Sequence, residues 1–421
     1  MELKKHIVTN MKKGSLLALF FCIVGFSTPA YAQSVQQQID SLSSGEILEL
    51  EPGLYSENLL IKEPIKINGN KGVKFTGKIE IKADDVEISG IQFLGEQGIV
   101  AKKVKNIKIT QNSFQTKRFP IYFDGVENSE IAEVDVIGKS GHYSEKSHGI
   151  SLYNSKGIHI KNNTITQTQD GIYLENSRQV TIEKNTITYG RYGTHIMYGS
   201  DMKLLHNNYS DHITGVMSMM ANNVDIEENT IKHQNALNSS GITLYQTSKV
   251  NVVHNIIREN SIAVQLQQAD TVDMSSNIFA SNLLVFKNIQ PKDVLVTNNQ
   301  LYGNVLVASS GSQGITLRAN VYDDYEGEDF DEDGYGDSVY IATSTFGKWV
   351  LKNEYYQYFI GSTATGLLEK MDNKISEPNA LMDAQPIVRE GQPWQLSFSG
   401  KHFSIGVALL IVLVFSWRKL K

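Results

Sequence analysis

Residues 158–188 read IHIKNNTITQTQDGIYLENSRQVTIEKNTIT, and the words in this stretch return along the chain at a fixed interval. Asn163, Asn185, Asn207 and Asn229 stand 22 residues apart, and Asn255, Asn277 and Asn299 resume that spacing after a four-residue insertion. KNNTI, EKNTI, EENTI and VHNII surround four of them. Before each Asn lies a segment of period two such as VTIEKN or VDIEEN, and before that another such as GISLYNS, GIYLENS or GITLYQTS. Period-two segments of four to six residues between polar turns are strands. Short strands recurring every 22 residues without a helical crossover can bury their apolar positions only by stacking coil on coil. The expected fold is all-β: a parallel β-helix, right-handed by the preference of parallel connections. Residues 45–320 provide roughly 12 coils, and a strand spacing near 4.8 Å gives a rod of about 55–60 Å. Each repeated Asn falls at a turn, where its amide is expected to bond backbone and the next Asn along the axis. Residues 33–44, with an amphipathic segment over 35–42, are expected to form a helical cap over the open end.

The register separates inward from outward positions. Ile150, Ile172, Thr194, Val216 and Ile242 form one inward column, and Leu152, Leu174, Ile196, Ser218 and Leu244 another. The outward columns run Tyr122, Ser151, Tyr173, His195, Met217, Thr243 and Asp124, Tyr153, Glu175, Met197, Met219, Tyr245. Two adjacent coils therefore present His195, Met197, Met217 and Met219 as a two-by-two patch of soft donors, suited to monovalent copper. Two readings stay open here, transient copper binding or methionine packing under a covering loop or partner. His212, His148 and His142 are weaker candidates to lean over the same face. His206, His254 and Glu228 share a solvated turn column, and Met202 belongs to the core.

The chain has 421 residues, 39 Lys and Arg against 45 Asp and Glu, and one Cys. Residues 1–32 have the layout of a cleavable export signal: Lys4, Lys5, Lys12 and Lys13, an apolar run over 16–26, then Ala30, Tyr31 and Ala32 before Gln33. Cleavage after Ala32 removes Cys22, so disulfides and thiolate ligands are excluded from the exported part. It also makes the net charge more negative, against a nucleic-acid partner. Residues 403–417 are apolar but for Ser404 and Ser416 and are followed by Arg418, Lys419 and Lys421. With Trp417 at the boundary, this predicts a single transmembrane anchor, tail inside and body on the extracytoplasmic face.

Residues 321–400 differ in composition. Asp329, Asp331, Asp333 and Gly334 reproduce the opening of a calcium loop, with Asp337 at its ninth position and Tyr340 where an EF-hand has Glu, so Ca²⁺ is a second candidate ion. A helix is expected over 361–371.

The stretch IDSLSSGEILELEPGLYSENLLIKEPIKING at 39–69 resembles the opening of carbohydrate-active, pectin-lyase-like β-helix modules. The ordered set RYGTHIMYGSDMKLLHNN, GVMSMM, NVYDDYEGEDFDEDGYGDSVY, GSTATGLLEKM and ALMDAQPIV resembles the NosD family, exported β-helix proteins of nitrous-oxide reductase maturation. That resemblance implies a non-enzymatic accessory protein that passes copper, or a sulfur species, towards the reductase copper-sulfur centre. Its implied partners are an ABC transporter with membrane subunit and ATPase, a copper chaperone lipoprotein and the reductase. His195, Met197, Met217 and Met219 would be its transfer stations and 321–400 its docking segment on the transporter. The alternatives are an extracellular polysaccharide lyase, hydrolase or epimerase, using Tyr122, Tyr153, Tyr173 and Tyr245 as a sugar platform, or an adhesin-like scaffold. Against the enzyme, the outward columns contain only Asp124 and Glu175 as carboxylates and no base.

Overall fold

A computed structural model describes residues 34–309, 313–343, 346, 349, 353–359, 362–372 and 380–388. The expected export signal and membrane anchor lie outside these residues, and no helix among the described residues is long and apolar enough to cross a membrane. The chain winds into a right-handed parallel β-helix of about 12 turns with three sheets of 15, 13 and 12 strands. From Ile47 to Tyr322 each strand pairs in parallel with the third strand from it along the chain, which is the connectivity of a three-sided coil, and Tyr340–Ile341 pairs antiparallel with Met382–Asp383 at the end of the first sheet.

The register is the one expected from the repeat. Ile150, Ile172, Thr194, Val216 and Ile242 are successive partners, as are Leu152, Leu174, Ile196, Ser218 and Leu244, and all are fully buried. The two polar intruders are satisfied inside: Thr194 Oγ1 meets Tyr209 OH at 3.0 Å, and Ser218 Oγ accepts from Thr247 Oγ1 at 3.2 Å. The asparagines form the expected ladder. Asn207 Nδ2 donates to Asn229 Oδ1 (3.0 Å) and to Ile182 O (2.8 Å), while Asn207 Oδ1 accepts from Asn185 N (2.9 Å) and Nδ2 (3.0 Å). One amide thus closes the polar accounts of three coils at a turn that leaves backbone groups without strand partners.

Both ends of the rod are covered. At the first, the helix Val35–Ser41 buries Val35 and Ile39, and Gln36 exchanges two side-chain hydrogen bonds with the backbone of Leu60, standing in for a further strand. At the other, Asp383 Oδ2 accepts from Asn320 N and Nδ2, both at 3.0 Å, so a carboxylate ends the ladder.

One coil is longer than its neighbours. Ile121 and its partner Ile150 are 29 residues apart, against 22 from Ile150 to Ile172. The excess emerges at the turn between the second and third sheets as a loop over residues 138–149. It rises beside the outward face of the third sheet and defines the site.

Candidate functional site: a buried aspartate beside a basic cleft

The strands Asp170–Glu175, Tyr192–Met197 and Thr214–Met219 lie side by side in the third sheet. Asp170 begins the first of them and is fully buried. It accepts from Arg191 Nε at 2.9 Å and Nη2 at 2.7 Å, and from His195 Nδ1 at 2.9 Å. His148 Nδ1, delivered by the long loop, stands 3.4 Å from the same carboxylate. Burial raises the Asp170 pKa, but the bonds from His195 and Arg191 outweigh it and hold the group below the ordinary carboxylate range. Because an ionised carboxylate only accepts, His195 donates to it from Nδ1, and its Nε2 has no part in that bond. That Nε2 is buried and has no hydrogen-bond partner among the described residues.

His148 has a different character. Burial, opposed by Asp170 and reinforced by Arg191 and His195, pushes its pKa down to about 4, so at neutral pH it is an uncharged base. Its ring stacks on Tyr173 at 4.5 Å. Tyr173 OH donates to Glu175 Oε2 at 2.7 Å, and burial with this bond raises its pKa. Burial also raises that of Tyr153. Both phenols are proton donors at neutral pH.

His148 and Tyr153 line a cleft of about 640 Å³ together with Lys117, Arg118, Lys139 and Lys146, four cations against the carboxylates Glu96 and Glu145. From its rim a row of rings follows the rod axis: Phe119 to Tyr122 at 5.6 Å, Tyr122 to Tyr153 at 5.2 Å, Tyr153 to Tyr173 at 5.5 Å.

The expected soft-donor patch has the register predicted for it, His195 beside Met217 and Met197 beside Met219. The three methionines are half-buried and His195 is 5% exposed, with Tyr173 and Tyr192 edge-on at 5.1 and 4.9 Å. His212 does not lean over this face. It lies inside the turn, where Nε2 donates to Ile187 O at 2.9 Å and Nδ1 accepts from Gly190 N at 3.0 Å, so both nitrogens serve the backbone. His142 is exposed on the loop and bonds Ser144 at 2.8 Å, away from the Asp170 cluster. In the acidic loop, Asp329, Asp331 and Asp333 converge within 4.8 Å. Asp337 instead accepts from Phe330 N at 2.6 Å, and the neighbouring charge of Asp333 raises the Asp331 pKa.

Column reading missed Asp170, Arg191 and the cations of the cleft. Asp170 has the inward parity of Ile172, and the others sit on turns, where parity has no meaning. The available signal was the charge itself: Asp170 shares a register row with Tyr192, Thr214 and Ser240, where no other carboxylate occurs.

A family described as right-handed beta helix region matches residues 148–324, and a family of proteins of unknown function, DUF1565, matches residues 29–198. A cell surface glycoprotein of Methanothermus fervidus is 28% identical over 179 residues, covering 37% of this chain and 30% of that protein. The chain thus spans less than a third of that relative. Among solved structures, the A-module of a mannuronan C-5 epimerase from Azotobacter vinelandii matches with a TM-score of 0.57 at 14% identity, over 69% of this chain and 95% of that one. A periplasmic alginate epimerase matches with 0.54 at 13%, over 66% and 84%. A mannuronic-acid-specific polysaccharide family 6 lyase from the human gut microbiota matches with 0.52 at 13%, over 81% and 97%. These likenesses establish the fold. They also correct the expectation of a non-enzymatic protein, since these three solved proteins are two epimerases and a lyase.

Proposed function

We propose that the chain acts on an acidic polysaccharide by removing the proton at C5 of a uronate residue, as a lyase or an epimerase. The observation that carries this reading is the neutral His148, seated against the buried Asp170 carboxylate, in the wall of a cleft with four cations. A proton α to a carboxylate becomes acidic only when that carboxylate is neutralised, and the lysines and arginine of the cleft supply the positive charge. His148, unprotonated down to about pH 4, takes the C5 proton. Tyr153, protonated and in the same cleft, supplies one. Delivered to O4, that proton lets the C4–O bond break as the C4–C5 double bond forms. Delivered to the opposite face of C5, it inverts the centre. Neither outcome consumes a co-reactant. Arg191 and His195 hold Asp170 in place, and Asp170 sets its charge 3.4 Å from His148 Nδ1; these three are positioning residues. Mannuronan, the polymer named for the first matched epimerase, is the first substrate to test.

The test is incubation with polymannuronate and polyguluronate in D₂O. Deuterium at C5, or ultraviolet-absorbing unsaturated ends with or without it, supports the reading. Unchanged polymer from both, and from hyaluronan in the same assay, sinks it.

A second reading keeps the NosD-like role, favoured by one observation: the buried, unpartnered Nε2 of His195 beside three thioethers. That donor set fits monovalent copper as cargo, with Asp170 fixing the ring as carboxylates do behind metal-bound histidines. The exported, membrane-tethered placement, the transporter, chaperone and reductase partners, and Ca²⁺ at Asp329, Asp331 and Asp333 belong to this reading. Competition with a Cu(I) chelator tests it: His195→Ala with Met217→Ala must weaken copper retention, and equal retention removes the site.

A further inference from the structure

The surroundings of the cluster differ on its two sides along the rod. Towards the N-terminal coils, successive turns between the second and third sheets carry Glu96, then Lys117 and Arg118, which pair with it at 3.3 and 4.0 Å, then Lys139, Glu145 and Lys146, four cations against two carboxylates, and the ring row Phe119, Tyr122, Tyr153 runs beside them. Towards the C-terminal coils, the same turns carry Asp211 and then the His233–Glu259 ion pair. The outward positions there are Met217, Met219, Thr243, Tyr245, Gln265 and Gln267, and no charged side chain occupies either column before Lys287.

A pyranose is about as long as the strand spacing, about 4.8 Å, so a glycan lying along the axis places about one residue on each coil. Carboxylates over the N-terminal coils meet cations and stacked rings. A carboxylate over the methionine coil meets thioethers, which donate no hydrogen bond, and loses hydration without compensation. An acetyl methyl or the C–H face of a neutral sugar meets the same sulfurs favourably. Resting on the C5-proton reading above, we infer that the substrate is an acidic heteroglycan in which the third residue beyond the reacting uronate, three coils on from Tyr153 and over Met217 and Met219, is uncharged. A homopolyuronate therefore binds out of preference.

Isothermal titration of the purified chain decides this with three hexasaccharide probes: a homopolyuronate, a hyaluronan oligosaccharide alternating glucuronate with N-acetylglucosamine, and the carboxyl-reduced form of the latter. The alternating probe is expected to bind at least about tenfold more tightly than either other, a difference of about 1.4 kcal/mol. Lys117→Ala with Lys139→Ala weakens both acidic probes, and Met217→Lys tightens the homopolyuronate alone. Equal or tighter binding of the homopolyuronate by the unaltered chain overturns the inference, as does a Met217→Lys variant that discriminates as before. The C5-exchange assay on the same samples separates the two levels. Preferential binding of the alternating probe with neither exchange nor unsaturated ends leaves the preference for an alternating glycan standing and removes the chemistry. Exchange of a homopolyuronate that binds best does the reverse, and binding of none of the probes removes both.

Discussion

Replacing Asp170 by Asn keeps the shape of the side chain and removes the charge on which the site converges. Three hydrogen bonds of 2.7–2.9 Å reach Asp170 from Arg191 and His195. The aspartate side chain is fully buried and that of Arg191 is 25% exposed. Breaking a buried pair by removing one partner costs about 3–5 kcal/mol, and the partial exposure of Arg191 places this case near about 3. Asn cannot satisfy both neighbours, since the one oxygen it keeps cannot serve the Arg191 fork and His195 Nδ1 together. Urea unfolding followed by circular dichroism measures the loss, which falls on the central coils because a solenoid is stabilised by nearest-neighbour interfaces. Asp124→Asn is the control: Asp124 is half-buried and bonds Asn154 at 2.9 Å, and its loss costs under about 1 kcal/mol. The same Asp170→Asn variant lowers the His148 pKa further below about 4, because the aspartate charge is what opposes burial there, and a ring-proton NMR titration reads this directly. A variant as stable as the parent, with the His148 titration unmoved, would refute the assignment of Asp170 as the organising charge.

Asn207→Ala strips acceptors from Asn185 N and Nδ2 and a donor from Ile182 O inside the rod, and should cost about 2–4 kcal/mol by the same unfolding assay. Asn251→Ala, which breaks one exposed bond to Asp225, should cost under about 0.5 kcal/mol. Gly193→Ala places a methyl 2.5 Å from Gly215 O and from Tyr209 Cδ1, and overpacking of this kind lowers stability by about 1–3 kcal/mol, visible as a lower Tm. His148 and His212 stay neutral in the fold down to about pH 4, whereas the unfolded chain protonates them near 6.5. Acidification from about 6.5 to 4 therefore favours the unfolded state, so stability is full above that window and falls within it. His148→Gln should remove about one proton from the pH slope measured by denaturant titration.

The sequence by itself determined the coil. A 22-residue repeat with a turn asparagine and period-two strands has one way to bury its apolar columns, and side chains on a strand alternate strictly. Thus the inward set, the outward set, the asparagine ladder and even the pairing of His195 with Met217 were legible before any coordinates. What the tertiary structure decided lies where alternation stops. Asp170 and Arg191 are 21 residues apart on successive turns, and their bidentate bond depends on how one turn lies over the next. His148 reaches the same carboxylate only because seven extra residues in one coil fold back over the sheet, and insertions carry no register. His212, read as a surface group, is drawn inside because two backbone groups at its turn need partners. Strand geometry is periodic and writes itself into the sequence. Charge pairing between turns exists only once one coil lies over the next, and the Asp170 cluster is assembled there.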